Sequence, residues 1–229
     1  MNLPMHKRLL SEAFGTFWIV FAGTGAIIIG DVSGAIPHTG VAIVFGLVVF
    51  GMISALGDVS GAHFNQAVTI GFYLAGRFPG KSVLPYISSQ IAGAVVASFV
   101  LHLLFPAHGS LGATFPAGSF GQSWVLEFIL TLGLMFVILG VSTGAEEKGI
   151  TAGLAIGGVV ALEALFAGPI SGASMNPARS FAPALISGQM QSIMLYLTAP
   201  VFGAAFAVLA CSCTREQSCC SCPIAEYST

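Results

Sequence analysis

Charge is what this sequence has least of. Only 7% of its 229 residues are charged, 7 Lys+Arg against 9 Asp+Glu, whereas soluble domains carry roughly a quarter. Most of the surface therefore cannot face water, which excludes a soluble globular chain. A nucleic-acid binder is excluded as well, because the formal net charge is −2 and no basic stripe is present to neutralise phosphates. No nucleophile–base pair and no phosphate-cradling glycine loop occurs, so the chain reads as a non-enzyme that uses no cofactor. Cysteine is missing until Cys211, and the spacing of the thiols beyond it matches no zinc-finger pattern. The basic start MNLPMHKRLLSEAFGTF lacks a small-residue cleavage site closing a short apolar run. It reads as the approach to a retained first helix, not as a signal peptide.

What is abundant is apolar: 55% of the residues are hydrophobic. Six segments are long enough to cross about 30 Å of hydrocarbon, near Leu9–Gly30, Thr39–Leu56, Val83–Phe105, Ser123–Ser142, Ile150–Ala167 and Ser192–Cys211. Two further apolar segments start at Asn65 and Asn176 and run for only about three helical turns. Too short to cross and too hydrophobic for loops, they read as re-entrant helices packed inside protein. The sequence thus predicts an all-α membrane protein of six transmembrane helices plus two re-entrant half-helices. Residues 1–212 form a single membrane domain and 213–229 a Cys-rich cytoplasmic tail. With the N-terminus cytoplasmic, Lys7, Arg8, Arg77, Lys81, Lys148 and Arg215 all fall on the cytoplasmic side, as the positive-inside rule requires. Both termini are then cytoplasmic, and Arg179 is the exception, inside a re-entrant segment.

The chain repeats itself. SGAHFNQAVT begins at Ser60 and SGASMNPARS at Ser171, 111 positions on. Glu12 and Thr16 recur as Glu127 and Thr131, and Gly93 and Ala97 as Gly203 and Ala207. The glycine–alanine pairs suit close helix approach in lipid. Each half, about 1–110 and 115–212, holds three spans. An odd number inserts the second half upside down, so the product is an inverted repeat.

Asn is a good N-cap, and Pro177 suits a first helical position. Asn65 and Asn176 therefore start two half-helices from opposite faces, with both positive N-terminal ends meeting near the midplane. That field opposes a cation, while the Asn amides offer donors to a water or hydroxyl oxygen. The preceding stretches Ser60–His63 and Ser171–Ser174 are expected to be extended. The carbonyls of Gly61, Ala62, His63, Gly172, Ala173 and Ser174 are expected to line the path. Arg179, one turn into the second half-helix, needs water and carbonyls around it to be tolerable in a membrane; a pore constriction meets that need.

At these residues the sequence resembles the aquaporin superfamily, the major intrinsic proteins. The paired Asn-Pro-Ala boxes, the Arg after the second box and the Glu-xxx-Thr of each half span essentially the whole chain. Phe166–Ser180, FAGPISGASMNPARS, is most similar to the plant nodulin-like branch and its bacterial relatives. The resemblance implies a homotetramer with one pore per subunit, and field-based cation exclusion of which aquaporins are themselves the standing example. It also implies a selectivity filter at Phe45, Ala164, Ala173 and Arg179. Water-selective members carry His at the position of Ala164, so two alanines imply a wider aperture for a small polyol, urea or a metalloid hydroxide. Ser180 and Ala184 follow the water-channel pattern instead. One departure stands out. The boxes read Asn65-Gln66-Ala67 and Asn176-Pro177-Ala178, with Gln in the first where the family has Pro. A fixed φ, worth about 0.4–1 kcal/mol, and ring packing on Pro177 are lost. The Gln66 amide must find partners or face the lumen. A conducting pore with a slightly looser midpoint is expected, with a partly blocked one as the alternative.

Glu12 and Glu127 lie within spans, and their symmetry points to a shared structural task, accepting hydrogen bonds from re-entrant amides, over proton relay. Glu163 adjoins Ala164, but helix neighbours point about 100° apart, and no role follows for it. His63 approaches the inner vestibule, through its backbone carbonyl first and as a protonation gate only second. His6, His38, His102 and His108 show no ligand spacing. Cys211, Cys213, Cys219, Cys220 and Cys222 form a reduced tail suited to soft metals or trivalent arsenic, to acylation, or to neither. Three function classes remain: a passive channel for small neutral solutes such as glycerol, with water; an ion-coupled transporter; and a closed-pore metal sensor. A strict water channel is the narrower form of the first. The channel is preferred, because a coupling site of midplane carboxylates is replaced here by two Asn and facing helix N-termini. Its partners are then solute, water and membrane lipid.

Overall fold

The computed structural model describes residues 3–142 and 148–214, the side chains of 148–150 excepted. Arg215, Cys219, Cys220 and Cys222 lie outside the described residues, so the structure does not bear on the tail as a thiol site. Eight helices and no strand occur among the described residues: α1 Met5–Ser33, α2 His38–Ser60, α3 Gln66–Leu74, α4 Gly80–Leu104, α5 Phe120–Val141, α6 Lys148–Ser171, α7 Pro177–Ser187 and α8 Ile193–Thr214. Six of them are long and apolar enough to cross a membrane. The other two, α3 and α7, have 9 and 11 residues. At 1.5 Å per residue they reach about half of the hydrocarbon thickness.

The long helices overrun most of the expected spans, and in two places this corrects the sequence reading. Ser60 and Ser171 are the last residues of α2 and α6, not the start of extended segments. Each is followed by a glycine in the left-handed region, Gly61 at φ 90° and Gly172 at φ 85°, which ends the helix as a left-handed cap does. The stretches beyond are not extended either. Ala62 and Phe64 stand at φ 51°, and Ala173 and Met175 at 41° and 52°. Left-handed backbone at four non-glycine residues costs energy, and it appears at matching places in the two halves. The apolar count ended α2 and α6 early because their last turns carry polar or helix-breaking residues, Asp58 and Ser60 in α2 and Gly168, Pro169 and Ser171 in α6.

Packing within each half follows the small residues. α1 lies against α4 and α5 against α8, while α2 and α6 join the halves. A Cβ at Gly93 would collide with the Ala13 carbonyl oxygen, and one at Gly203 with that of Phe128. Neither obstacle is a side chain that can rotate away. Gly203→Val is therefore expected to destabilise the fold by at least the roughly 1–3 kcal/mol typical of overpacking. Thermal unfolding in detergent measures it, with Gly121→Ala as the control, since nothing lies within 4 Å of that position. The half-helices are enclosed by this frame. Ala67, Val68 and Phe72 of α3 and Ala178 and Ala182 of α7 are buried, although both elements sit between spanning helices.

Candidate functional site

The two buried glutamates organise the turns that carry the half-helices. Glu12 Oε1 accepts from the Ser60 hydroxyl at 2.7 Å and the His63 amide at 3.0 Å, and its Oε2 from the Phe64 amide at 2.7 Å. Glu127 repeats the pattern with Ser171 at 2.7 Å, Ser174 N at 2.9 Å and Met175 N at 2.8 Å. Thr16 and Thr131 each donate to the main-chain oxygen of their glutamate, at 2.7 and 2.8 Å. A tyrosine closes each frame: Tyr86 Oη donates to Ser60 O at 2.8 Å and Tyr196 Oη to Ser171 O at 2.7 Å. These tyrosines were missed in the sequence. Their separation equals that of Gly93 and Gly203, so the repeat carried the signal. Gln90, which donates to Glu12 at 2.7 Å, has no mirror and left no such trace.

Those turns bring the N-termini of α3 and α7 together. Asn65 Oδ1 caps the Ala67 amide at 2.9 Å, and Asn176 Oδ1 caps those of Ala178 and Arg179 at 3.1 and 3.5 Å. Each Asn also reaches into the other half. Asn65 Nδ2 donates to Met175 O at 2.7 Å, and Asn176 Nδ2 to Phe64 O at 2.9 Å. One N–H of each amide is thus spent across the interface, leaving one for anything that passes. Of the six box residues only Asn65 and Asn176 line the adjoining cavity. Gln66 does not face the lumen: its side chain turns toward α7 and its oxygen accepts from Ala178 N at 2.6 Å.

Two cavities meet near this point. The larger, about 990 Å³, runs from Asp58 and Ser142, on the side where α1 begins and α8 ends, to Asn65, Asn176 and Arg179. The smaller, about 420 Å³, opens on the opposite side past Asp31 and His38. Phe45, Ala164 and Arg179 line both; Ala173 lines the larger and Gly172 the smaller. Three of the four residues expected at a filter therefore stand at the junction of two voids, and the fourth, Ala173, lines the larger one. Gly61, Ala62, His63 and Ser174 line the larger cavity. The Arg179 guanidinium lies over the Phe45 ring, 5.1 Å from its centroid, and Nη1 donates to Gly112 O at 2.9 Å. Ring and carbonyl together offset part of the cost of burying the cation. Gly112 sits in the connection between α4 and α5, where sequence pattern gave no hint of a ligand for Arg179. Behind the junction, Thr114 donates to the Ser180 hydroxyl at 2.8 Å, and Ser180 and Ser174 share a hydrogen bond of 2.5 Å.

The remaining candidates sit elsewhere. The His63 ring stacks on Phe72 and packs on Phe78 and Tyr86, with Nδ1 3.1 Å from Thr69 Oγ1, so the side chain is held away from free rotation in the lumen. His38 donates to Leu165 O at 2.8 Å, and His108 pairs with Asp31 at 3.2 Å. Glu163 is buried against Gly133, and its Oε2 has no partner among the described residues; it lines neither cavity. Cys211 is buried and Cys213 exposed.

Six spanning helices, two half-helices meeting end to end and a junction of cavities beside them define an integral, multi-pass membrane protein of channel type. Residues 1–211 match the family model described as major intrinsic protein. The chain is 46% identical to aquaporin NIP1-4 of Oryza sativa subsp. japonica over 216 residues, 94% of this chain and 79% of that one. It is 49% identical to aquaporin NIP1-1 of the same organism, over 89% of this chain and 72% of that one. With nodulin-26 of Glycine max it shares 43%, over 89% and 76%. The X-ray structure of the aquaglyceroporin from Plasmodium falciparum superposes with a TM-score of 0.82, covering 90% of this chain and 95% of that one at 23% identity; it shares the fold. The chain belongs to the major intrinsic protein, or aquaporin, family, and is a channel, not an enzyme.

Proposed function

We propose that the protein is a passive channel for glycerol-sized uncharged solutes together with water, with Phe45, Ala164, Ala173 and Arg179 as its selectivity filter. One observation carries the reading: the junction of the two cavities is formed by a cation stacked on a ring, faced by alanines where a narrower member would present a larger side chain. Arg179 and the two half-helix N-termini oppose cations, while the remaining Asn N–H groups bind a passing oxygen. An ion-coupled transporter is disfavoured, because the buried carboxylates Glu12 and Glu127 are engaged by hydroxyls and amides and line neither cavity. Urea and metalloid hydroxides are of suitable size and neutrality and follow glycerol in the order of testing. The distribution of basic residues supports cytoplasmic termini. The exposed apolar faces serve lipid and the neighbouring subunits of a homotetramer.

Stopped-flow light scattering on proteoliposomes tests this. Fast shrinkage in a sucrose gradient and fast reswelling in a glycerol gradient are expected. Fast shrinkage with reswelling no faster than empty liposomes would make the protein a strict water channel. No acceleration in either gradient would overturn the channel reading and revive a closed-pore sensor.

A further inference from the structure

We infer that Gln66 is a positioning residue of the pore midpoint: its side-chain oxygen clasps the opposite half-helix and thereby fixes how the two Asn side chains face the path. The inference rests on the channel reading above. Three side-chain hydrogen bonds join the half-helix starts. Asn65 to Met175 O and Asn176 to Phe64 O are mirror images, at 2.7 and 2.9 Å. The third, from Ala178 N to Gln66 Oε1 at 2.6 Å, has no mirror, because Pro177 carries no side-chain acceptor to return to Ala67. It is also shorter than the 3.1 Å bond from the same amide to Asn176 Oδ1. Pro177 lacks an N–H, so Ala178 supplies the first free donor of α7, and Gln66 takes much of it. Asn176 Oδ1 is left to share a weaker claim between Ala178 and Arg179, and its orientation depends on Gln66.

The side chain's chemistry favours this task over bulk. Gln66 is 5% exposed and does not line the larger cavity, so it acts through Asn176 and not on solute. An exchanged amide orientation would set NH₂ against N–H, so the oxygen must face Ala178. The Nε2 group is buried with no partner among the described residues. A residue serving only as filler would avoid that desolvation cost; what Gln66 contributes is its acceptor. The midpoint is therefore joined by a directional bond where the sequence suggested loosening.

The test compares Q66E, which keeps an acceptor oxygen, with Q66M, which keeps the length and removes it, in proteoliposomes carrying equal amounts of folded protein. Glycerol and water permeabilities are read for each. Q66E is expected to hold the wild-type glycerol-to-water ratio, whereas Q66M shifts it by about fivefold, the worth of one ordinary hydrogen bond. If Q66M fails to insert, Q66P takes its place, since proline lacks the acceptor and suits the first helical position. A wild-type ratio in the acceptor-free variant, or equal shifts in both variants, would overturn the clasp. A wild-type protein that conducts neither solute would instead overturn the channel reading.

Discussion

Ala164→His is expected to cut glycerol permeability by at least about tenfold, an added barrier of roughly 1.4 kcal/mol, while water permeability falls far less. Ala164 shares the junction of the two cavities with Phe45 and Arg179. Its methyl is small and nearly buried, at 7% exposure, and an imidazole in its place would fill space at the wall that both cavities share. The Phe45 ring cannot withdraw to compensate. Arg179 is stacked on it, and a Cβ at Gly23 would already overlap the ring, so little room is left for it to move. The added ring therefore narrows the gap directly. Glycerol must shed more of its surrounding space than water does, so the loss is steeply size-dependent. Stopped-flow measurements on matched proteoliposomes read both permeabilities. Equal losses would place the filter elsewhere along the path.

How far the sequence went depended on whether a feature was repeated. The half-helices were legible because Asn65 and Asn176 start short apolar segments 111 positions apart, and a repeated anomaly is hard to mistake for a loop. Glu12 and Glu127 stood out by the same repeat, as acids with a shared structural task, but the sequence did not name the amides that they accept from. Conformation within the turns was not. Alternating left-handed residues such as Ala62 and Ala173 are set by hydrogen bonds from residues far along the chain, so local propensity, which favours extended backbone there, is overruled. Contacts lacking a mirror were equally hidden. The Gly112 carbonyl on Arg179 and the Gln66 oxygen on Ala178 join segments 67 and 112 positions apart. Glu163 was unexplained in sequence and is still without a role, since it touches neither cavity.

Glu127→Leu should abolish a folded, conducting protein, and the effect of Glu127→Gln separates the two tasks a buried acid could perform. Glu127 Oε1 accepts from Ser171 and Ser174, and Oε2 from Met175. Leucine leaves all three donors buried without acceptors, at roughly 1–3 kcal/mol each. The turn holding Ala173 and Met175 in left-handed backbone loses the acceptor of its Ser174 and Met175 amides, which offsets part of that strain, and Asn176 follows directly from it. Glutamine keeps one acceptor oxygen but turns an NH₂ group toward a donor. If the residue is scaffolding, Glu127→Gln lowers both thermal stability in detergent and water permeability per folded protein. A proton relay predicts the opposite pattern, with stability and water flux preserved and only a proton current changed. Glu12→Gln should behave more mildly, because Gln90 also donates to that carboxylate and can present its own oxygen to the substituted amide. A milder loss in the first half than in the second is what the unmirrored glutamine requires; equal losses would assign Gln90 no part in the frame.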